Sequence, residues 1–148
     1  MPLIVLLFFL FFLSFQNVYS NDEYFRTLRN DKVNLRQGPS FDYPIKIFYK
    51  KKFLPVLIQD RSDNFRKIRD HENNTGWIHI SQLSKKKAAI LVDDNSILFN
   101  ASTIYSNPLA ILKKGRLVKI IKCKNDWCEI KTGEFKGWVK KESLWGLL

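Results

Sequence analysis

The strongest constraint on this chain is internal repetition. Gly76-Trp77-Ile78-His79-Ile80-Ser81-Gln82-Leu83 returns as Gly137-Trp138-Val139-Lys140-Lys141-Glu142-Ser143-Leu144, and residues 33–84 and 97–146 are two versions of one pattern. A repeat of roughly sixty residues indicates a tandem array of small modules, and such arrays more often bind than catalyse.

The segments inside each repeat are short. Lys32-Val33-Asn34-Leu35-Arg36 alternates apolar and polar residues as a half-buried strand does. Gln37 to Pro44 is a turn-rich stretch in which Pro39 and Pro44 each lack a donor. Ile45–Tyr49, Leu54–Gln59, Phe65–Arg69 and Trp77–Ile80 read as further strands, with polar turns between them. No long amphipathic helix is present in the pattern. Five short strands in about fifty residues predict a small antiparallel barrel per repeat, an all-β class.

Repeat two keeps the later half of this plan best. Leu117–Cys123 aligns with Pro55–Arg61, Trp127–Lys131 with Phe65–Arg69, and Trp138–Lys140 with Trp77–His79. Its opening, Ile97 to Ser102, reads as having lost the Arg-x-Gly-Pro-Ser turn. Ser84 to Ala89 is the charged joint, and the apolar run Ala89–Val92 is expected to pack against a module or complete a sheet. The division is therefore 1–20 as a signal segment, 21–84 as the first domain and 85–148 as the second.

Leu3 to Leu13 is an unbroken apolar run, shorter than the roughly 20 residues of a membrane-spanning helix. It suits the apolar core of a secretory signal, with Val18 and Ser20 as a small-residue cleavage pattern before Asn21. No Lys or Arg precedes the run, which leaves an uncleaved anchor or a buried helix as the alternatives. Export to the periplasm or cell envelope is the expectation.

The net charge is +11; residues 21–84 carry 12 basic and 8 acidic side chains, and residues 85–148 carry 13 and 6. Inside a cell this balance points to nucleic acid. For an exported chain it points to anionic envelope polymers, lipid headgroups of a membrane surface or acidic proteins. Simple solubility explains it equally well.

Cys123 and Cys128, the only cysteines, bracket Lys124-Asn125-Asp126-Trp127, which reads as a hairpin loop. The histidines His71 and His79 lie in the other repeat, so no metal site is expected. Opposed strand positions suit a disulfide, which export favours; two free buried thiols are the alternative. Closing so small a loop contributes about 2 kcal/mol. No phosphate cradle, nucleophile elbow or zinc-protease motif occurs, and neither a cofactor nor an enzyme activity is expected.

Candidate binding residues follow from chemistry. Arg36 closes a strand, and its planar fork suits a ligand carboxylate or a local acid such as Asp42. Tyr43, beside Pro44, either walls an aromatic groove or packs its own loop. Gly38 and Pro39 shape a tight turn, Gly38 by allowing a positive φ. Trp77 and Trp138 serve either as packing or as stacking platforms for a sugar or peptide plane. Trp127 reads as core. His79 is expected on the exposed face, opposite Ile78 and Ile80. The triplets Lys50–Lys52 and Lys85–Lys87 keep edges wet or hold an anionic surface.

The run Val33-Asn34-Leu35-Arg36-Gln37-Gly38-Pro39-Ser40-Phe41-Asp42-Tyr43-Pro44 resembles the opening motif of bacterial SH3-like domains. Lys50-Lys51-Lys52-Phe53, Pro55–Ile58, Phe65–Ile68, Gly76-Trp77-Ile78 and Leu83 match the rest of that pattern. Repeat two resembles a divergent member through Lys114-Gly115, Leu117–Ile121, Trp127, Gly137-Trp138-Val139 and Leu144. The Cys-x4-Cys hairpin and Leu144-Trp145-Gly146 are similar to exported two-repeat proteins of Gram-negative bacteria. The resemblance implies two tandem SH3-like β-barrels and a binding role toward peptidoglycan or another envelope component. An adaptor that docks on an envelope protein is the alternative. It does not imply binding of proline-rich peptides, because the acidic, tyrosine-rich loop signature of the eukaryotic relatives is absent.

Overall fold

The computed structural model describes residues 22–148, and the apolar run with its cleavage pattern lies outside them. Each repeat forms one seven-stranded antiparallel sheet. The first comprises β1 (Tyr24–Leu28), β2 (Val33–Arg36), β3 (Ile45–Tyr49), β4 (Pro55–Ser62), β5 (Phe65–Arg69), β6 (Thr75–His79) and β7 (Leu83–Ser84). The second comprises β8 (Ala88–Leu91), β9 (Ser96–Phe99), β10 (Pro108–Leu112), β11 (Leu117–Lys124), β12 (Trp127–Thr132), β13 (Phe135–Lys140) and β14 (Leu144–Trp145). Their orders, β3-β2-β6-β5-β4-β1-β7 and β10-β9-β13-β12-β11-β8-β14, superpose element by element. Helical geometry among the described residues is limited to the 3-10 turns Ile80–Gln82 and Lys141–Ser143. Ile80 therefore leaves the strand alternation and is exposed.

Alternation decides which side of each sheet is buried. In β2, Val33 and Leu35 are fully buried while Asn34 and Arg36 are half-buried. The long strands β4 and β11 shift register at the same place, between Ile58 and Asp60 and between Ile120 and Lys122. An extra residue there bends the strand and lets the sheet curl around its own apolar cluster. Leu28, Val33, Leu35, Ile68 and Ile78 form one core, and Leu98, Val118, Ile130 and Val139 form the other.

The repeated Gly-Trp pair has a steric cause. A Cβ on Gly76 would lie 2.7 Å from the Arg36 carbonyl oxygen, and one on Gly137 would lie 2.5 Å from that of Phe99. In both repeats the Gly lets β6 or β13 press against the strand that opens the repeat. Gly76→Ala or Gly137→Ala is therefore expected to cost about 2 kcal/mol by forcing these strands apart. Thermal unfolding of the two variants checks this.

The strands that precede each copy of the pattern, β1 and β8, are the same element. β1 and β8 each pair with the long strand and with the closing two-residue strand of their repeat. The apolar run at the joint does both of the things its composition suggests. It completes the second sheet, and Ile90 on its far face packs into the core of the first repeat. Trp145 adds an edge-to-face contact with Phe25, their ring centroids 4.9 Å apart. The joint is a packed seam.

Candidate functional site

On the outer face of the first sheet, Arg36 lies opposite Trp77, Trp77 opposite Lys67, and Phe65 opposite His79. The loop 37–44 folds over this face. Phe41 at its tip lies 5.2 Å from the Phe65 ring and 5.1 Å from the His79 ring, and the Arg36 guanidinium sits 5.3 Å from the Phe41 ring centre. Arg36 Nη1 donates to the carbonyls of Phe41 and Tyr43, at 3.1 and 2.9 Å. The fork thus holds its own loop rather than Asp42, which is bonded to Ser40. Gly38 has no positive φ; it is glycine because the Tyr43 ring lies where its Cβ would be, at 2.5 Å. His79 is half-buried, and its Nδ1 accepts from the Ser81 N–H at the start of the 3-10 turn. Arg36, Trp77, His79 and Tyr43 are thereby brought to one face and loop, whose tip Phe41 covers.

Repeat two keeps the loop without its motif. Asn100 N–H bonds to Asn107 O as Gln37 N–H does to Pro44 O, and Thr103→Ala101 and Ser106→Thr103 repeat Ser40→Gly38 and Tyr43→Ser40. The Arg-x-Gly-Pro-Ser residues are lost, but the turn is not. The Ser106 hydroxyl, within 3.1 Å of the Ala101 carbonyl and 2.8 Å of the Thr103 carbonyl, ties this loop. Ile104 takes the place of Phe41, Trp127 that of Phe65, and Lys140, opposite Trp127, that of His79.

Here the space under the loop is open. A groove of about 620 Å³ runs between the loop and the β11–β12 hairpin, lined by Ile104, Asp126, Trp127, Lys140, Lys141 and Glu142 among others. Past Ile104 and Lys140 it meets a second hollow of about 470 Å³ beside Asp93 and Asp94. Trp127, which the sequence places in the core, is half-buried as a wall of the groove, edge-on to Phe99 at 5.6 Å. Its ring is too large to bury at the end of so short a hairpin. Trp138 lies opposite Phe99 outside the groove, with Lys122 Nζ 5.7 Å above its ring. Glu129 pairs with Lys122 and Lys136 at 3.7 and 3.3 Å.

Cys123 and Cys128 form a disulfide across the hairpin, with their Cα atoms 4.0 Å apart. It pins the loop that carries Asp126 and Trp127 to the groove. The groove combines an aromatic wall with carboxylates and ammoniums on its rim, which suits an extended ligand bearing both charges. Among the described residues no group of three His, Cys, Asp or Glu could hold a metal ion. Of the lysine triplets, Lys52 and Lys86 join Lys119 around the Phe53 ring, 5.1–5.5 Å from its centre.

A family model described as bacterial SH3 domain matches residues 29–85 and again 96–146. The chain belongs to the bacterial SH3 domain family. Solved structures similar to these bacterial SH3 repeats include NlpC2 from Trichomonas vaginalis, at 12% identity and TM-score 0.38, covering 83% of this chain and 48% of that one. NlpC1 from the same organism matches at 12% and 0.38, covering 82% and 45%. An NlpC/P60 family protein from Bacillus cereus matches at 10% and 0.37, covering 82% and 55%. The chain spans about half the length of these structures. A search of curated proteins found no match.

Proposed function

We propose that the protein is a non-catalytic binding protein of the periplasm or cell envelope, whose second bacterial SH3 repeat takes peptidoglycan through its stem peptides. The observation that carries this reading is the open groove of repeat two, at the place where Phe41 of repeat one lies against Phe65 and His79. Stem peptides are extended and carry both carboxylates and amines, which match Lys140, Lys141, Asp126 and Glu142 on the rim. Trp127 and Ile104 supply the apolar area that fixes orientation. The family supports a binding role in general, and the basic charge supports an anionic polymer. Arg36 and Tyr43 then act by holding their own loop, with His79 under its tip, while Trp77 and Trp138 sit opposite Arg36 and Phe99 on the two sheets.

Incubation with purified cell-wall sacculi tests this. The protein is expected to sediment with them, and Trp127→Ala is expected to weaken retention by about thirtyfold, the effect of losing one aromatic anchor. Retention that vanishes in moderate salt but survives Trp127→Ala would count against the groove and for general electrostatics. A second reading, an adaptor for an envelope protein, is favoured by the cross-strand pair Ile97 and Ile111, exposed by 43% and 65%. Absence from sacculi together with one co-purifying partner would select it.

A further inference from the structure

The first repeat departs from the second at two positions that ought to be apolar. Arg26 lies opposite Val56 where Ala89 lies opposite Val118, and Arg66 lies opposite Arg61 where Cys128 lies opposite Cys123. Ala89 and Cys128 are fully buried in the core of repeat two. In repeat one the same sites place guanidinium groups at one end of the curled sheet. Together with Arg29 and Lys85 they line a groove of about 480 Å³ that no acidic side chain lines.

The arginines are held in place. Arg26 stacks over the Tyr24 ring at 4.4 Å and donates Nη1 to the Phe25 carbonyl; Arg66 donates Nη1 to the carbonyls of Asp63 and Phe65; Arg29 donates Nε to Leu83 O. The Nη2 groups of Arg26 and Arg66 and both Nη groups of Arg29 have no partner among the described residues. Glu129, paired with Lys122 and Lys136, involves none of these cations. Like charges gathered in one groove that no acidic side chain lines cost stability, and Arg61 directly opposite Arg66 adds to that cost. A fold that builds the same corner from Ala and Cys has no structural need of them.

We propose that this groove is a phosphate-binding site for a soluble or lipid-borne phosphorylated ligand. Guanidinium forks match phosphate oxygens in pairs, and a dianion offsets more of the converging charge than one carboxylate does. The site is separate from the groove of repeat two and does not depend on that reading.

Calorimetric titration with inorganic pyrophosphate at fixed ionic strength tests it. Wild type is expected to bind saturably at one site, and Arg26→Ala/Arg66→Ala is expected to bind at least about tenfold more weakly. Arg29→Gln, at an exposed residue, gives a second measure that does not touch the core, with the same direction. Vesicles separate the two sources. Retention on phosphatidylglycerol but not phosphatidylcholine, reversed by pyrophosphate, identifies a lipid headgroup, whereas pyrophosphate binding without retention identifies a soluble ligand. No saturable binding of either probe, or equal binding by wild type and all variants, overturns the proposal.

Discussion

Asp70→Ala is expected to destabilise the protein by about 4 kcal/mol, more than any surface substitution. Asp70 is 2% exposed, between β5 and β6. Its Oδ1 accepts from the backbone N–H groups of Glu72 and Asn74, and its Oδ2 from the Tyr49 hydroxyl and Asn74 Nδ2, all within 2.9 Å. The truncation leaves the buried Tyr49 hydroxyl and two turn amides unpaired. Burial alone would raise the Asp70 pKa, but these four bonds outweigh it and hold the carboxyl below its usual range. Burial first, and then the bond to Asp70, push the Tyr49 hydroxyl upward, so it remains a donor.

The pH dependence follows with a definite sign. A lowered carboxyl stabilises the fold above its unfolded value, about 3.9, and that contribution is lost as pH falls through the folded value. A raised hydroxyl stabilises below its unfolded value, about 10, and its contribution is lost as pH rises toward the folded one. The gap between wild type and Asp70→Asn is therefore expected to be widest between about pH 4 and pH 10 and to narrow in acid. Urea unfolding across this range measures it. A gap that stays constant into acid would show that the carboxylate charge is not what holds the turn.

The strand pattern and the repeat were legible because alternation and turn residues carry them. Ile45–Tyr49 runs from Pro44 to Lys50 and Phe65–Arg69 from Asn64 to Asp70, so a proline and polar residues mark their ends. The equivalence of β1 and β8 was not legible, because Tyr24-Phe25-Arg26-Thr27-Leu28 and Ala88-Ala89-Ile90-Leu91 share only their backbone pairing. The loop 100–107 escaped for the same reason, since amide-to-carbonyl bonds and one hydroxyl reproduce a turn whose side-chain motif is gone. The planar fork of Arg36 points to a carboxylate, of a ligand or of Asp42, and the structure instead turns it to backbone carbonyls. That these carbonyls lie five and seven residues on is a fact of loop geometry, and no residue type announces it. Trp127 misled because a Trp between paired cysteines looks internal, whereas its place at a hairpin end leaves one side of the ring to a groove.

Ile90→Ala carries the second large effect, about 3 kcal/mol, and it decides whether two barrels behave as one body. Ile90 is 1% exposed and belongs to the second sheet by hydrogen bonding but to the first core by packing, with Leu117 against it. A repeat of this size buries only a modest share of its surface alone. The seam supplies part of what each lacks, and the amides of Ile68 and Ile130, one in each core, are therefore expected to exchange with the same opening free energy. Ile90→Ala should lower both together, although the cavity lies in the first core and the residue in the second sheet. If only the Ile68 amide is affected, the repeats open independently and the seam is mere contact. A shared loss would mean that the open groove of repeat two and the arginine-lined end of repeat one are held at a fixed spacing, so that a ligand spanning both meets a preset geometry and avoids the entropy cost of aligning two free modules.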